Sequence, residues 1–97
     1  MRVIARPTLR EFWRKHPPAE VPLRNWYAEA GRATWGSPAA VKAAHRNDSF
    51  AAGDRVVFNI KGNDYRLIAA IGYRQKIRYV RFIGTHREYG KIDAAYV

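Results

Sequence analysis

Three strand-like segments, separated by connectors of only three residues, fill the second half of the chain. They read RVVFNI, DYRLIAAIGY and KIRYVRFIGT, with KGN and RQK between them. Their content of Val, Ile, Tyr and Phe favours strands. A parallel crossover needs a dozen or more residues, so connectors this short can only join antiparallel neighbours. The segments therefore predict a three-stranded antiparallel meander, and this restricts the possible folds more than any other feature.

Helix signals precede the meander. A β-prone opening, MRVIA, leads to Thr8 and Glu11, which have the S/T-x-x-E spacing of a capping box and predict a helix start. Pro17 and Pro18 should end that helix, because proline lacks the amide that a helix interior needs.

A second helix is predicted from an apolar stripe in AEVPLRNWYAEAGRATW. The stripe has the i, i+3, i+4, i+7 spacing of one helix face and consists of Leu23, Trp26, Tyr27 and Ala30. Pro22 is tolerated only near the start of such a helix, where its missing N–H has no intrahelical partner. Another helix start is indicated by Ser37 as N-cap and Pro38 at the first helical position, which predict a short third helix.

These signals predict one α+β domain over residues 1–97, in the order β-α-α-β-β-β with the short helix before the last three strands. The helices should cover one face of a small antiparallel sheet, and no segment is evident to cover the other. Side chains alternate along a strand between the two faces of a sheet. In the second strand we therefore expect one face to hold Arg66, Ile68 and Ala70 and the other to hold Tyr65, Leu67, Ala69 and Ile71. In the third strand we expect one face to hold Val80 and Phe82 and the other to hold Ile77, Tyr79, Arg81 and Ile83. One polar face that holds arginines would result.

Cysteine is absent from the sequence. Disulfides, thiolate-bound zinc and a cysteine nucleophile are therefore excluded, and stability must come from packing. The first residues are too charged, and their apolar run too short, for a signal peptide, and no segment has the roughly 18–20 apolar residues of a membrane span. We therefore expect a cytoplasmic protein with no membrane partner.

The net charge of +10 on 97 residues indicates an anionic partner. The part from residue 55 to 97 is the more basic, and most of the cations are arginines, whose planar fork binds phosphate and also stacks on bases. Nucleic acid is the favoured partner, and a membrane surface is the second choice. The remaining alternative is that the positive charge serves only solubility.

Metal-dependent chemistry is poorly supported. The eight acidic residues are scattered, whereas a two-metal nuclease needs clustered carboxylates. His16, His45 and His86 lie in different predicted elements without the spacing of a zinc site. We interpret His16 and His45 as helix-end residues, since a cation there suits the helix dipole. The sequence contains no phosphate-loop or dinucleotide motif, and we predict no cofactor.

Cleavage of RNA without a metal is compatible with the sequence, because the 2′-hydroxyl of RNA can itself act as the nucleophile. An attacking 2′-hydroxyl needs a base, cations to stabilise the phosphorane, and an acid for the leaving 5′-oxygen. The stretch RFIGTHREYGKID and the strands beside it supply His86, Arg87, Tyr89, Lys91, Arg66 and Arg81. The alternatives are a structural histidine at a strand end, solvated sheet arginines and a tyrosine that packs the tail.

Residues 56–93, VVFNIKGNDYRLIAAIGYRQKIRYVRFIGTHREYGKID, resemble the HigB toxins of bacterial type II toxin–antitoxin systems, in the RelE-like superfamily. The upstream FWRKHPPAEVPLRNWYAEAGRATWGSPAAVK is similar to the helical half of that family, so the resemblance covers nearly the whole chain. It implies a RelE-like fold and an mRNA interferase, an endoribonuclease that cuts messages, commonly on translating ribosomes. It also implies a HigA-type helix-turn-helix antitoxin as partner.

The resemblance points, on the matching positions, to Asn63, Arg66, Arg81, His86 and Tyr89, with Lys61 as a further choice. The predicted catalytic residues are thus His86, Arg66, Arg81, Tyr89 and Lys61, and the predicted RNA contacts are Asn63, Arg87, Lys91, Arg74 and Arg78. A non-catalytic basic module that binds RNA or the ribosome is the alternative function. A domain whose charge only binds an acidic partner protein is a third.

Overall fold

A computed structural model describes residues 2–4, 6–32, 39, 49–50, 55–62, 64–75 and 77–93. The strands are β1 (Arg2–Ile4), β2 (Ser49–Phe50), β3 (Arg55–Ile60), β4 (Tyr65–Gly72) and β5 (Ile77–Thr85). The helices are α1 (Arg6–Lys15), α2 (Glu20–Arg32) and α3 (His86–Tyr89), with a 3-10 turn, Pro17–Ala19, between the first two. The helix predicted after Ser37 lies outside the described residues except for Ala39, which is helical.

The five strands form one sheet in the order β1-β5-β4-β3-β2. The segments β3, β4 and β5 pair antiparallel, which confirms the predicted meander and the α+β class. The opening strand β1 pairs parallel with β5, with Val3 opposite Arg78. As a result β5, the last of the described strands, has a neighbour on each side over its first residues.

The two long helices lie where the sequence pattern predicted them, but the start signal predicted for the first one is not used. The helix α1 begins at Arg6, so Thr8 lies inside the helix, and the capping box predicted at Thr8 and Glu11 is wrong. Pro7 is tolerated because the first turn of a helix does not use its amides internally. The helix α2 buries Leu23 and two further members of the predicted stripe. Among the described helices, none is long and apolar enough to cross a membrane.

The main core lies between the helices and one face of the sheet, where α1 packs on β5 and α2 on β1 and β3. Its buried members include Leu9, Leu23, Trp26 and Ala30 from the helices and Val56, Phe58, Leu67, Ala69 and Ile71 from the strands. The rings of Trp26 and Phe58 meet edge to face at 5.4 Å between centroids. This pairing of α2 with β3 fixes the helical layer on the sheet.

A β-bulge in β5 changes the faces predicted for that strand. Ile68 pairs with Phe82 and Ala69 with Val80, so Arg81 is the extra residue. Val80 and Ile83 both pack against the helical core. The expectation that Val80 and Phe82 share a face is therefore wrong, because one inserted residue reverses the alternation beyond it.

The sheet face opposite the helices is also buried at its centre. Val57, Ile68 and Ala70 are at most 3% exposed although they are not part of the main core. The expectation of an uncovered polar face is therefore wrong for the middle of the sheet. A polar rim remains near the start of β4, where Arg66 is half-buried.

Candidate active site

The helix α3 begins where β5 ends, and a capping box holds this junction. Thr85 is extended (φ −70°, ψ 163°), and its hydroxyl accepts a hydrogen bond of 3.1 Å from the Glu88 amide. The Thr85 amide in turn donates to the Glu88 carboxylate, Oε1, at 2.9 Å. Two amides at the helix start, which have no intrahelical partner, are thereby satisfied.

The turn between β3 and β4 lies against the start of α3. The His86 amide donates to the Asp64 carbonyl at 3.1 Å, and the Asp64 amide donates to the Lys61 carbonyl at 3.2 Å. The Lys61 ammonium group lies 3.3 Å from Asp64 Oδ2. These contacts bring the predicted catalytic residues Lys61 and His86 to the same end of the sheet.

Lys61 adopts a backbone conformation that is unusual for its residue type. Its φ is 53° and that of Gly62 is 65°. Two successive positive φ values suit a tight hairpin turn, but a side chain with a Cβ is strained there by roughly 1–2 kcal/mol. Strain of this kind concentrates at functional sites. It therefore favours a functional role for Lys61.

Arg66 and Tyr89 are in contact across the junction of sheet and helix. The Arg66 guanidinium carbon lies 5.8 Å from the centroid of the Tyr89 ring, within the range of a cation–π interaction. Both side chains are half-buried. Arg66 pairs with Gly84 in β5, and a Cβ at Gly84 would lie 2.5 Å from Phe82 Cζ and 3.2 Å from Glu88 Cβ. Glycine at this position makes room for the Phe82 ring and for α3 at the strand end.

The remaining catalytic candidate, Arg81, occupies a different part of β5. Arg81 is exposed at the bulge, and its guanidinium lies 5.8 Å from the Tyr79 ring centroid. It precedes Gly84 by three residues, which is about 10 Å along a strand. Arg81 thus lies apart from the Arg66–Tyr89 pair, and the described contacts do not bring it together with the other catalytic candidates.

The predicted RNA contacts fall into separate groups. Arg87 and Lys91 are exposed on and just after α3, beside the exposed His86. Arg74 is exposed in the turn between β4 and β5, at the other end of the sheet, roughly 20–25 Å along the strand from Arg66. Asn63 lies outside the described residues.

Arg78 is wrongly predicted as an RNA contact, because it is 0% exposed. It lies between Ile71 of β4 and Val3 of β1, on the face covered by the helices. Burial lowers the pKa of Arg78 to about 10, although the charges of Glu29 and Tyr73 act in the opposite direction. The guanidinium therefore stays protonated at neutral pH and belongs to the interior.

A groove runs between α1, β5 and α3, next to the candidate site. It is lined by Thr8, Glu11, Phe12, Lys15, His16, Ile83 and Glu88. His16 stacks on Phe12 with ring centroids 4.5 Å apart, and its amide donates to the Phe12 carbonyl, which confirms its reading as a helix-end residue. The hydrogen bond from the Thr85 amide holds the pKa of Glu88 below its ordinary value, and the charges of His16 and Lys15 act in the same direction.

Sequence reasoning missed Asp64 and Glu88 as parts of this site. The signal for Glu88 was present, because T-H-R-E at 85–88 has the same S/T-x-x-E spacing as the segment at 8–11. No comparable signal marks Asp64, since its carbonyl and carboxylate contacts depend on how the hairpin meets α3.

The arrangement can carry acid–base chemistry on a phosphate. An imidazole, a phenol, an ammonium group and a guanidinium lie at one end of the sheet, and these groups can exchange protons and stabilise negative charge. In the described part of the chain no group of three or more His, Asp or Glu side chains could hold a metal ion.

Comparison with known proteins gives two matches. The sequence model of the HigB toxin family, described as the RelE-like toxic component of a toxin–antitoxin system, matches residues 19–92. A protein named mRNA interferase HigB, from Escherichia coli O6:H1 (strain CFT073), is 29% identical over 98 aligned residues, which cover 99% of this chain and 95% of that protein. The family match includes β3, β4, β5 and α3, and so all the residues of the candidate site.

Proposed function

The chain belongs to the HigB toxin family, the RelE-like toxic components of toxin–antitoxin systems, and from this premise we propose that it is an mRNA interferase. The observation that carries the proposal is the convergence of Lys61, Arg66, His86 and Tyr89 at the end of the sheet where α3 begins. Similarity to a protein named mRNA interferase HigB supports it.

The proposed reaction is attack of an RNA 2′-hydroxyl on the adjacent phosphate without a metal. The bond from the 2′-oxygen to phosphorus forms, and the bond from phosphorus to the 5′-oxygen breaks. A base takes the 2′-hydroxyl proton and an acid protonates the leaving 5′-oxygen, so the products carry a 2′,3′-cyclic phosphate and a 5′-hydroxyl. Every group required is a protein side chain or part of the RNA.

His86 and Tyr89 are the proposed proton carriers, because both lie on α3 and can donate or accept a proton through imidazole or phenol. Arg66 and Lys61 are proposed to stabilise the charge on the phosphorane. Arg81 would hold the RNA strand farther along β5. Arg87 and Lys91, both exposed, and Asn63 are proposed as additional RNA contacts, and Arg74 would touch only a long substrate.

A toxic component of a toxin–antitoxin system has an antitoxin as its partner. We propose that this antitoxin is a HigA-type helix-turn-helix protein, and that the toxin acts in the cytoplasm on messages carried by the ribosome. The excess of positive charge, +10 in all, supports attraction to ribosomal and messenger RNA.

Induced expression followed by primer extension across several messages tests the function. The wild-type chain should arrest growth and produce cut messages, whereas His86→Gln and Arg66→Gln should produce neither. Arg32→Gln is the matched control, because it removes an exposed arginine at the end of α2 that belongs to neither the catalytic nor the RNA-contact set. Growth arrest by the wild type with intact messages would instead favour a non-catalytic module that binds RNA or the ribosome.

A further inference from the structure

We infer that Glu88 is a positioning residue of the active site: its carboxylate holds α3 on the end of β5 and so sets where His86 and Tyr89 stand. The catalytic part of this inference rests on the proposed function. The structural part, that Glu88 orders α3, stands on the geometry alone.

Glu88 can do this because α3 is too short to be stable by itself. The helix contains four residues, His86–Tyr89, and isolated helices shorter than about 12 residues are marginal in water. Its first amides are held by the reciprocal bonds of Thr85 and Glu88, at 2.9 and 3.1 Å, and by the Asp64 carbonyl. None of its residues is fully buried and only Tyr89 is half-buried, so apolar packing contributes little to its order beyond the Tyr89 ring.

The position of α3 matters to chemistry because two proposed proton carriers lie on it. Tyr89 must stay within reach of Arg66, and His86 must stay beside the turn that carries Lys61. A displacement of about 1 Å in a catalytic group can cost roughly 100-fold in rate. Loss of the cap would move both groups together.

Glu88 also connects α3 to the helical layer. It lines the same groove as Lys15 and His16, which lie at the end of α1, and the charges of both residues favour its ionised form. The carboxylate thus bonds the end of β5 to α3 and faces the groove beside the end of α1. Its Oε1 accepts the hydrogen bond from the Thr85 amide, which gives the carboxylate a structural task at the start of α3.

Two substitutions at this residue separate positioning from chemistry. Glutamine at the third helical position still completes a capping box, because its carbonyl oxygen accepts the same hydrogen bond. Alanine removes the bond and the charge. We expect Glu88→Gln to cleave RNA within about threefold of the wild type, and Glu88→Ala to lose about 10-fold or more in single-turnover rate, with RNA affinity changed less than about twofold.

Glu11→Ala is the matched control. Glu11 lines the same groove and follows Thr8 at the same spacing, but it lies inside α1 and caps nothing at the site. Its substitution should leave cleavage unchanged. Equal losses in Glu88→Gln and Glu88→Ala would mean that the charge acts in the chemical step, and an unimpaired Glu88→Ala would show that the cap has no catalytic role; either result overturns the inference.

A second pair of variants covers the case in which Glu88→Ala does not fold. Thr85→Ser keeps the hydroxyl and Thr85→Ala removes it, so only Thr85→Ala should slow cleavage. If the box acts as a unit, the double alanine variant should lose no more than the worse single variant; additive losses contradict the inference. Amide hydrogen exchange at Thr85 and Glu88 tests the cap directly, and faster exchange in Glu88→Ala is expected even if the wild type cleaves no RNA.

Discussion

The Arg66 guanidinium lies over the ring of Tyr89, 5.8 Å from its centroid, and joins the start of the central strand β4 to the helix that follows β5. Arg66 reaches this position from β4, and Tyr89 from α3, 23 residues later in the chain. The contact can hold a cation and a phenol beside one another for use on the same phosphate. Substitutions at Tyr89 can separate the role of the ring from that of the hydroxyl.

Tyr89→Phe should keep the ring under Arg66 and remove only the hydroxyl, whereas Tyr89→Leu should remove both. If the phenol carries a proton, both variants should lose about 10²–10⁴ in single-turnover cleavage of RNA. If the ring only orients Arg66, Phe should retain most of the rate and Leu should not. Thermal unfolding should change little in either variant, since a cation–π pair that remains partly exposed contributes roughly 1 kcal/mol.

His86→Gln should abolish most of the activity if the imidazole takes or gives a proton. Glutamine keeps one hydrogen-bonding end but exchanges no proton near neutral pH, so the cleavage rate on programmed ribosomes should fall by about 10²–10⁴. The His86 amide bond to Asp64 uses the backbone and should survive the substitution. A loss below about fivefold, with ribosome binding unchanged, would reduce His86 to a structural residue.

Arg78→Ala should destabilise the protein, because Arg78 is fully buried between two strands. Truncating a large buried side chain costs about 2–5 kcal/mol, which denaturant unfolding would measure. Arg78→Met, which refills the volume without a charge, should cost less than Arg78→Ala. Arg74→Ala, at an exposed turn, should change stability by less than about 0.5 kcal/mol. A destabilisation by Arg78→Ala no larger than that of Arg74→Ala would contradict the burial.

Binding to RNA should weaken steeply with salt, since each phosphate neutralised by Lys or Arg releases a condensed counterion. Between about 50 and 200 mM salt we expect a loss of roughly 10-fold or more in affinity, measured by fluorescence anisotropy with a short labelled RNA. Substituting an exposed cation such as Arg87 should reduce the salt slope. A change in affinity of less than twofold over this salt range would contradict an electrostatic role of the +10 charge in RNA binding.

The order of α3 should depend on pH through Glu88. Its pKa in the folded protein lies below the ordinary value of 4.5, chiefly because of the hydrogen bond from the Thr85 amide. The stabilisation is therefore present above the unfolded pKa and is lost as the pH falls through the lower, folded pKa. Protection of the Thr85 and Glu88 amides against exchange, taken relative to the intrinsic rate at each pH, should fall over that acidic range in the wild type. The fall should be absent in Glu88→Gln, whose side chain does not titrate; an equal fall there would rule out Glu88 as its cause.

Local sequence features were sufficient for the elements and for the region of the site. Alternating apolar side chains and three-residue connectors determine strands and antiparallel pairing because both effects act over a few residues. The stripe that includes Leu23 and Trp26 determines the buried face of α2 for the same reason. The clustering of His86 and Tyr89 after a strand was likewise visible in the sequence. Arg66 and Lys61 were predicted to join them, and the structure adds the contacts, with Arg66 against Tyr89 and the Lys61 turn against the His86 amide.

Contacts between distant segments decided the rest. The burial of Arg78 depends on β1, which pairs beside it from the other end of the chain. The bulge at Arg81 reversed the faces beyond it, because the register of β5 against β4 is set by which side chains fill the core. The S/T-x-x-E pattern occurs twice, and only at Thr85 and Glu88 does the chain leave a strand and begin a helix. A local signal states which hydrogen bonds are possible, and the packing of distant strands and helices determines which of them form.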